Sequence, residues 1–540
     1  MQGSLYKSRL SILAALIAAT LPVSLTAAAE ALPNASTSLS GKSQTFSSSP
    51  SPLPQPATDN DFVLPELSVP GSTNVTQVVQ RTLFQNPEVR ASWNAIQASG
   101  NDAREAWGGF LPTVNLSGGA GRESQSNDGE GSYETDYYEL TLQQMLFDGF
   151  ETSSQVDRFQ HIKRQNYFDF LDTSEQAALN AYQAYLDVMR YRDLVSLARG
   201  NYAQHLTVFD QIEQRARSGA GRGVDLEQIT GRLALAESNL MTEAANLHDV
   251  VARYQRIVGE LPPRQLAPLP ELEKLMPPSV EVALQEAMNS NPQIYSAYEN
   301  RMAQRANQDV REAAFYPDLS LQASTGRNNE DSTFGERRNQ TTVQLVGSIN
   351  LYRGGSDVAA WRAAGDRLEQ SWQQQEQACH NVRQTTQIAY RDAVRYEEQL
   401  RYLNEHRQSI DRIRVPYQQQ FELGQRTLLD LLDNENEYFE SSRDYVDGWY
   451  DQRLAFARTL AATSRLISAL QVSHLETADL VDEVKPENIS ADMSCGVTSP
   501  GGFTLDELTQ GLRSDVRSGM GSSQQTQWPE TGSFDVEPLQ

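Results

Sequence analysis

Residues 86–120 read NPEVRASWNAIQASGNDAREAWGGFLPTVNLSGGA, and residues 291–325 read NPQIYSAYENRMAQRANQDVREAAFYPDLSLQAST. The two stretches lie 205 residues apart and follow the same rules. Each opens on Asn-Pro, a side chain that caps a helix followed by a proline at the first helical position, so helices start at Asn86 and Asn291 and run to about Gly109 and Ala314. Pro112 and Pro317 stop them. Apolar and polar residues then alternate: Val114, Leu116, Gly118 and Ala120 in one copy, and Leu319, Leu321, Ala323 and Thr325 in the other. Period-two alternation is the mark of a strand with one apolar face.

Outward from this core the same register holds. Val75, Phe110, Leu146, Gly149, Gly219, Asp225-Leu226 and Arg253 recur at Val280, Phe315, Leu351, Gly354, Gly424, Asp430-Leu431 and Arg458, each 205 residues later with no net insertion. The chain is therefore a duplicated unit, and both halves share one fold. After a Gly/Asn/acidic loop (Gly121 to Asp136; Gly326 to Gln340) a second alternating run follows. It carries Tyr138, Leu140, Leu142 and Leu146 in one half and Val343, Leu345, Ile349 and Leu351 in the other. Each unit thus supplies a β-hairpin, over 112–147 and 317–352.

Gly149 to Ser218 and Gly354 to Leu423 are rich in Gln, Ala, Leu, Arg and Glu, with only Gly200, Gly365 and Pro416 as internal breakers. Helices over 149–218 and 354–423 would each reach ~105 Å at 1.5 Å per residue. Turns over 219–225 and 424–430 reverse the chain. The return arm then keeps a near-heptad spacing at Leu226, Ile229, Leu233, Ala236, Leu240 and Leu247, a coiled-coil seam. That arm is half as long as its partner, so the helix beginning at Asn86 is expected to cover the other half from the opposite end.

Outside the repeat, Lys7 and Arg9 precede an apolar run ending in Ala27-Ala28-Ala29, which predicts a cleaved secretory signal over 1–29 without a lipid-anchoring cysteine. Residues 30–73 have the Ser/Thr/Pro composition of a linker, with folded structure expected near Asn74. The first repeat spans 74–278 and the second 279–475. Residues 476–540 form an acidic tail expected to be largely disordered, with 12 Asp or Glu against Lys485, Arg513 and Arg517.

Composition removes several function classes. A net charge of −25 argues against a nucleic-acid partner. No apolar run beyond the N-terminus is long enough for a spanning helix. Cys379 and Cys495 stand far apart, so a disulfide framework is not expected, and there is no CxxC or Cys/His zinc spacing. His161, His205, His248, His380, His406 and His474 occur singly, without HExxH, and read as surface residues. Gly219-Ala220-Gly221-Arg222-Gly223 follows a helix and lacks GK[ST], so it reads as a turn rather than a phosphate loop. No acid/base pair or nucleophile stands out, and neither an enzyme nor a bound cofactor or metal is expected.

Four strands of about ten residues match the length of transmembrane β-strands, yet they cannot close a barrel, and open edges are not tolerated in hydrocarbon. The chain must oligomerise if they enter a membrane. Two copies give eight strands and a filled interior, whereas three give twelve and a lumen.

With its duplication, its Asn-Pro to Pro spacing, Leu146-Phe147-Asp148-Gly149, Leu351-Tyr352-Arg353-Gly354-Gly355, and Gly424-Gln425-Arg426-Thr427-Leu428-Leu429-Asp430-Leu431-Leu432-Asp433, the chain resembles the TolC family of outer-membrane channel-tunnels over about 74–475. The resemblance implies a mainly α protein with transmembrane β-structure. It would be a homotrimer with a 12-stranded barrel in outer-membrane lipid, continuous with a periplasmic α-helical barrel. The implied partners are a periplasmic adaptor (membrane fusion protein) and an inner-membrane ABC transporter or other pump. Asp430 and Asp433 fall on the family's carboxylate rings at a gated tip. Arg426 falls on its closing links, with Asp225 and Gln214 as polar partners, and Phe421 stands where the family commonly has a tyrosine. The implied function is the exit duct of a tripartite exporter. The Leu-Leu-Asp-Leu-Leu-Asp tip resembles the type I protein-secretion branch more than multidrug efflux. A periplasmic coiled-coil scaffold without a pore is the reading of another class.

Overall fold

The computed structural model describes residues 67–124, 132–330, 338–473, 475, 501 and 505–509. The signal sequence, most of the linker, most of the acidic tail and His474 lie outside them. In chain order the elements are β1 (Val69–Thr73), α1 (Val75–Gln85), α2 (Pro87–Gly108), β2 (Thr113–Ser124), β3 (Ser132–Asp148), α3 (Glu151–Arg217), α4 (Gly223–Val258) and β4 (Pro263–Leu266). They continue with α5 (Val280–Ser290), α6 (Pro292–Glu312), β5 (Asp318–Glu330), β6 (Arg338–Ser348), α7 (Ser356–Glu422), α8 (Leu428–Ala462), α9 (Leu466–Ala469) and α10 (Leu505–Leu508).

The duplication is visible down to single hydrogen bonds. Asn86 and Asn291 accept from the backbone N–H of Glu88 and Gln293, at 2.8 and 3.0 Å, which caps α2 and α6 ahead of Pro87 and Pro292. The same two amides donate to the last carbonyls of the return arms, Asn86 to Ile257 O at 3.3 Å and Asn291 to Ala462 O at 3.0 Å. Each asparagine therefore joins the start of one helix to the end of another in a single line.

That joint explains how a 67-residue helix is covered. α3 packs against α2 along one half and α4 along the other, and α6 and α8 succeed each other in the groove between α3 and α7. The half-length return arm and the helix from the opposite end share the long helix, as the lengths required. At the meeting point Phe170, Tyr182, Tyr185 and Tyr254 are fully buried. The Tyr185 hydroxyl donates to Ala267 O at 2.6 Å.

β2, β3, β5 and β6 form one antiparallel sheet in that order. Both hairpins have the same register, Leu116 opposite Leu140 and Leu321 opposite Leu345, and β3 paired with β5 welds the two repeats together. The strands reach the long helices through left-handed residues: Gly149 and Phe150 (φ 66° and 70°), then Gly354 and Gly355 (φ 66° and 84°). At Gly149 a Cβ would lie 2.7 Å from Tyr316 Cβ, so the turn there admits only glycine.

Four expectations are corrected. Val69–Thr73, assigned to the linker, is a strand in parallel pairing with β4. The second hairpin ends at Ser348 rather than Tyr352, since Asn350 turns back to accept from Tyr352 N–H. His205 is buried, its Nδ1 2.9 Å from Asn201 O, and His161 Nδ1 lies 2.6 Å from buried Glu299. Cys379, half-buried beside Ala287, Met288, Ile294 and Val382, is disulfide-bonded, because distance along a chain does not measure distance in space. Cys495 lies outside the described residues.

Candidate functional site at the helical tip

Two ends of the molecule carry features that packing alone does not require. At one end the sheet turns its apolar face outward: Val114, Leu116, Tyr138, Leu140, Leu142, Val343 and Leu345 are all exposed, with Leu116 at 75%. Among the described residues nothing pairs with the outer edges of β2 and β6. Trp107, Phe110, Phe150, Phe315, Tyr316 and Tyr352 stand exposed where the strands join the helices, the position of an interfacial aromatic girdle. No described helix is long and apolar enough to cross a membrane.

At the far end both helical hairpins reverse. Gly219 and Gly424 take φ of 76° and 71°, and the freed carbonyls of Arg215 and Gln420 are met by the N–H groups of Ala220 and Gln425 at 3.0 and 2.8 Å. Beneath the turns Ile212, Ile229, Phe421, Leu428, Leu431 and Leu432 form a small apolar cluster with one contribution from each of α3, α4 and α7 and three from α8. Phe421 is buried in it, with the Arg215 guanidinium 5.5 Å from its ring centroid. The phenylalanine is therefore a core side chain of this cluster, which its lack of a hydroxyl suits.

The polar residues singled out in the sequence lie on the helices and turns that carry this cluster. Asp430 completes a capping box at the start of α8: Thr427 Oγ1 and N–H donate to its Oδ2 at 2.8 and 3.1 Å, and Asp430 N–H donates back to Thr427 Oγ1 at 3.2 Å. Those bonds, the Thr427 hydroxyl first, hold its carboxyl below the usual carboxylate range. Asp433 is ion-paired with Arg232 of α4 at 2.5 Å. Arg426 lies over the Tyr417 ring at 3.9 Å and donates to Gln420 Oε1 at 2.9 Å. Asp225 faces Arg222 at 3.4 Å, and Gln214 is exposed, its carbonyl accepting from Ser218 N–H at 3.1 Å.

Within one protomer the structure thus gathers Phe421, Asp430, Asp433 and Arg426 about one cluster and gives each an intrachain partner. Arg232 and Thr427 were missed in the sequence. Thr427 could have been found from the Thr-x-x-Asp spacing, whereas nothing near Arg232 points to Asp433. Higher up, Arg414 forks onto Glu435 at 2.8–3.2 Å with its guanidinium 3.9 Å over Tyr438, tying α7 to α8. Among the described residues no group of three or more His, Cys, Asp or Glu is placed to hold a metal ion.

A family model described as "Outer membrane efflux protein" matches residues 78–260 and 283–463, once on each repeat. The alkaline protease secretion protein AprF of Pseudomonas aeruginosa is 26% identical over 326 residues, which are 59% of this chain and 67% of AprF. The outer membrane efflux protein BepC of Brucella suis is also 26% identical, over 359 residues, 64% of this chain and 76% of BepC. A crystal structure of CusC superposes with a TM-score of 0.65 at 17% identity, over 74% of this chain and 92% of CusC.

Proposed function

Since this chain belongs to the outer membrane efflux protein family, we propose that it forms the outer-membrane exit duct of a tripartite export machine, a passive homotrimeric channel gated at its periplasmic tip. The protein sits in the bacterial outer membrane with a long helical extension into the periplasm. One observation carries the proposal: an open four-stranded sheet with an outward apolar face is fused to helices about 100 Å long. The sheet cannot remain open in lipid, and three copies close it at twelve strands around a lumen. A pore-less periplasmic scaffold has no use for that face.

The tip turns then lie at the constriction. Asp430 and Asp433, three apart and on one helical face, would form two carboxylate rings that attract cations. Arg426, Asp225 and Gln214 would face a neighbouring copy, with Arg426 helping to hold the tip shut. The partners of such a duct are a periplasmic adaptor and an inner-membrane pump.

We favour protein secretion as the cargo class. A relative named for alkaline protease secretion and the Leu-Leu-Asp-Leu-Leu-Asp tip support it. Small-molecule efflux is the second reading, supported by BepC at the same identity. Deleting the gene should abolish release of a large extracellular protein and leave drug tolerance unchanged; the reverse phenotype would select efflux. The duct itself is tested in a planar bilayer with the oligomer mass measured on the same sample. A trimer with small cation-preferring currents is expected, and a non-conducting monomer or dimer would refute the duct.

A further inference from the structure

In the first repeat Ser174, Ala178, Tyr182 and Leu186 follow one another every fourth residue along α3, and all four are 0% exposed. The segment after α8 packs over this part of the helix: Leu466 and Ile467 share its apolar cluster, and their backbone N–H groups reach Glu175. The equivalent positions of α7, 205 residues on, are Cys379, Arg383, Gln387 and Arg391. They are only half-buried. A flank that is apolar core in one copy therefore carries a sulfur, two cations and an amide in the other, and side chains of that kind are matched by a polar, acidic cover.

The chain itself holds such a cover. Cys379 is disulfide-bonded, and the sequence has one other cysteine, Cys495. Residues 476–495, which lead to it, carry six acidic side chains against Lys485 alone, a net charge of −5, with Leu480, Val484 and Ile489 between them. The reach is sufficient. Just before this stretch Ser473 is held against α1, its carbonyl accepting from Gln80 Nε2 at 2.8 Å and its N–H donating to Gln80 Oε1 at 3.2 Å. The twenty residues from there to Cys495 extend up to ~66 Å, enough to cross several helices of ~10–12 Å width. Cys379 also lies close to the end of α8, from which the tail departs. It packs with Met288 and Ile294, and between those two residues Ser290 and Asn291 donate to Thr463 O and Ala462 O at 3.1 and 3.0 Å.

We propose that residues 476–495 are an acidic strap that returns across α7, closed by a Cys379–Cys495 disulfide and paired along Arg383, Gln387 and Arg391. A bond of this kind persists in the oxidising periplasm. Ile388, nine residues from Cys379 and so half a turn out of phase, is 54% exposed. The strap thus leaves the opposite side of α7 open to a neighbouring copy. Residues 496–540 then start from an anchored point on α7 instead of trailing from α9.

Two measurements on the detergent-purified protein test the strap. A non-reduced proteolytic digest of the full chain should yield a peptide pair joining Cys379 to Cys495, which tris(2-carboxyethyl)phosphine separates. Two free thiols, or a bond between two copies, would overturn the proposal. The second measurement reads docking apart from the bond. In Cys495→Ser the Cys379 thiol is free, and its alkylation by a neutral maleimide is compared with that of the same thiol in a chain ending at Leu475, each rate normalised to the urea-unfolded chain. The shortened chain should react about three- to ten-fold faster, because the strap covers the sulfur and its carboxylates keep the thiol protonated. Salt at about 1 M, which screens charges beyond ~3 Å, should move Cys495→Ser toward the faster rate and leave the shortened chain unchanged. Equal rates with and without the tail, or no response of Cys495→Ser to salt, would overturn the paired strap.

Discussion

The first and second repeats share a backbone and differ in what covers it. α3 is clad on both sides by α2, α4, α6 and α8, and it buries Phe168, Phe170, Tyr182, Tyr185, Leu186 and Leu194. α7 has the same length and offset, yet most of the residues it buries along its middle are small or polar, Ala364, Ser371, Gln375, Thr386, Ala389 and Ala393, with Val382 the larger apolar exception. Trp372, Ile388, Val394, Tyr402 and Val415 are left exposed along it. One long helix is finished inside the chain and the other is not. The duplication therefore fixes where helices start, turn and stop, and the side chains decide which copy faces a neighbour. In the proposed trimer a neighbouring copy would cover α7.

The sharpest way to break this contrast is a pair of substitutions at equivalent positions. Tyr185 is fully buried and its hydroxyl meets Ala267 O, while Tyr390, 205 residues on, is only half-buried. Tyr185→Ala should cost about 3–5 kcal/mol, comparable to other buried aromatics, and leave a carbonyl unpaired. Tyr390→Ala should cost less than about half of that in isolated protomers, measured by denaturant unfolding in detergent. A larger cost in the trimer than in the protomer would show that the neighbour buries α7; equal costs at the two sites would end the distinction.

A smaller effect sharpens it at the strand–helix junctions. Gly149 and Gly354 have the same φ of 66°, so alanine meets the same backbone strain at both. Only at Gly149 would the new Cβ collide, with Tyr316 Cβ at 2.7 Å and Ala313 O at 2.9 Å; at Gly354 nothing lies within 4 Å. Gly149→Ala should therefore be worse than Gly354→Ala by about 1–3 kcal/mol in thermal unfolding. Phe150 shows that the left-handed step is tolerable for a side chain with room, since it occupies φ 70° where the second repeat has Gly355.

Much of this was legible because the fold is punctuated by residues with few alternatives. Asn-Pro starts, Gly-marked reversals and strict alternation each have one local meaning, and their recurrence 205 residues apart made each half a check on the other. β1 was hidden for the opposite reason: Val69-Pro70-Gly71-Ser72-Thr73 has linker composition, and its partner strand opens on Pro263, so neither reads as a strand before they pair. At the tip the capping role of Asp430 lies within four residues and is readable, whereas the Arg232–Asp433 pair joins residues that the repeat does not match. The equivalent of Arg232 is Glu437, and no periodicity links it to Asp433.

The mildest test of the contrast uses acid and base instead of volume. Glu175 of α3 is nine-tenths buried, and burial pushes its carboxyl up to about 8, with Asp172 adding to the rise and the backbone N–H groups of Ile467 and Leu466 opposing it. Its counterpart in α7, His380, is exposed. A folded pKa above the unfolded value near 4.5 means that the neutral acid stabilises the fold. That contribution is complete below about pH 4.5 and is lost as pH rises through about 8. Wild type should accordingly lose stability from this group as pH rises from 5 to 9. Glu175→Gln, neutral throughout, should flatten that part of the profile, while the same substitution at exposed His380 should leave the contribution of Glu175 in place. If Glu175→Gln kept the full slope, the buried half of α3 would not be as dry as its side chains imply, and the difference between the finished and unfinished helix would narrow to packing volume alone.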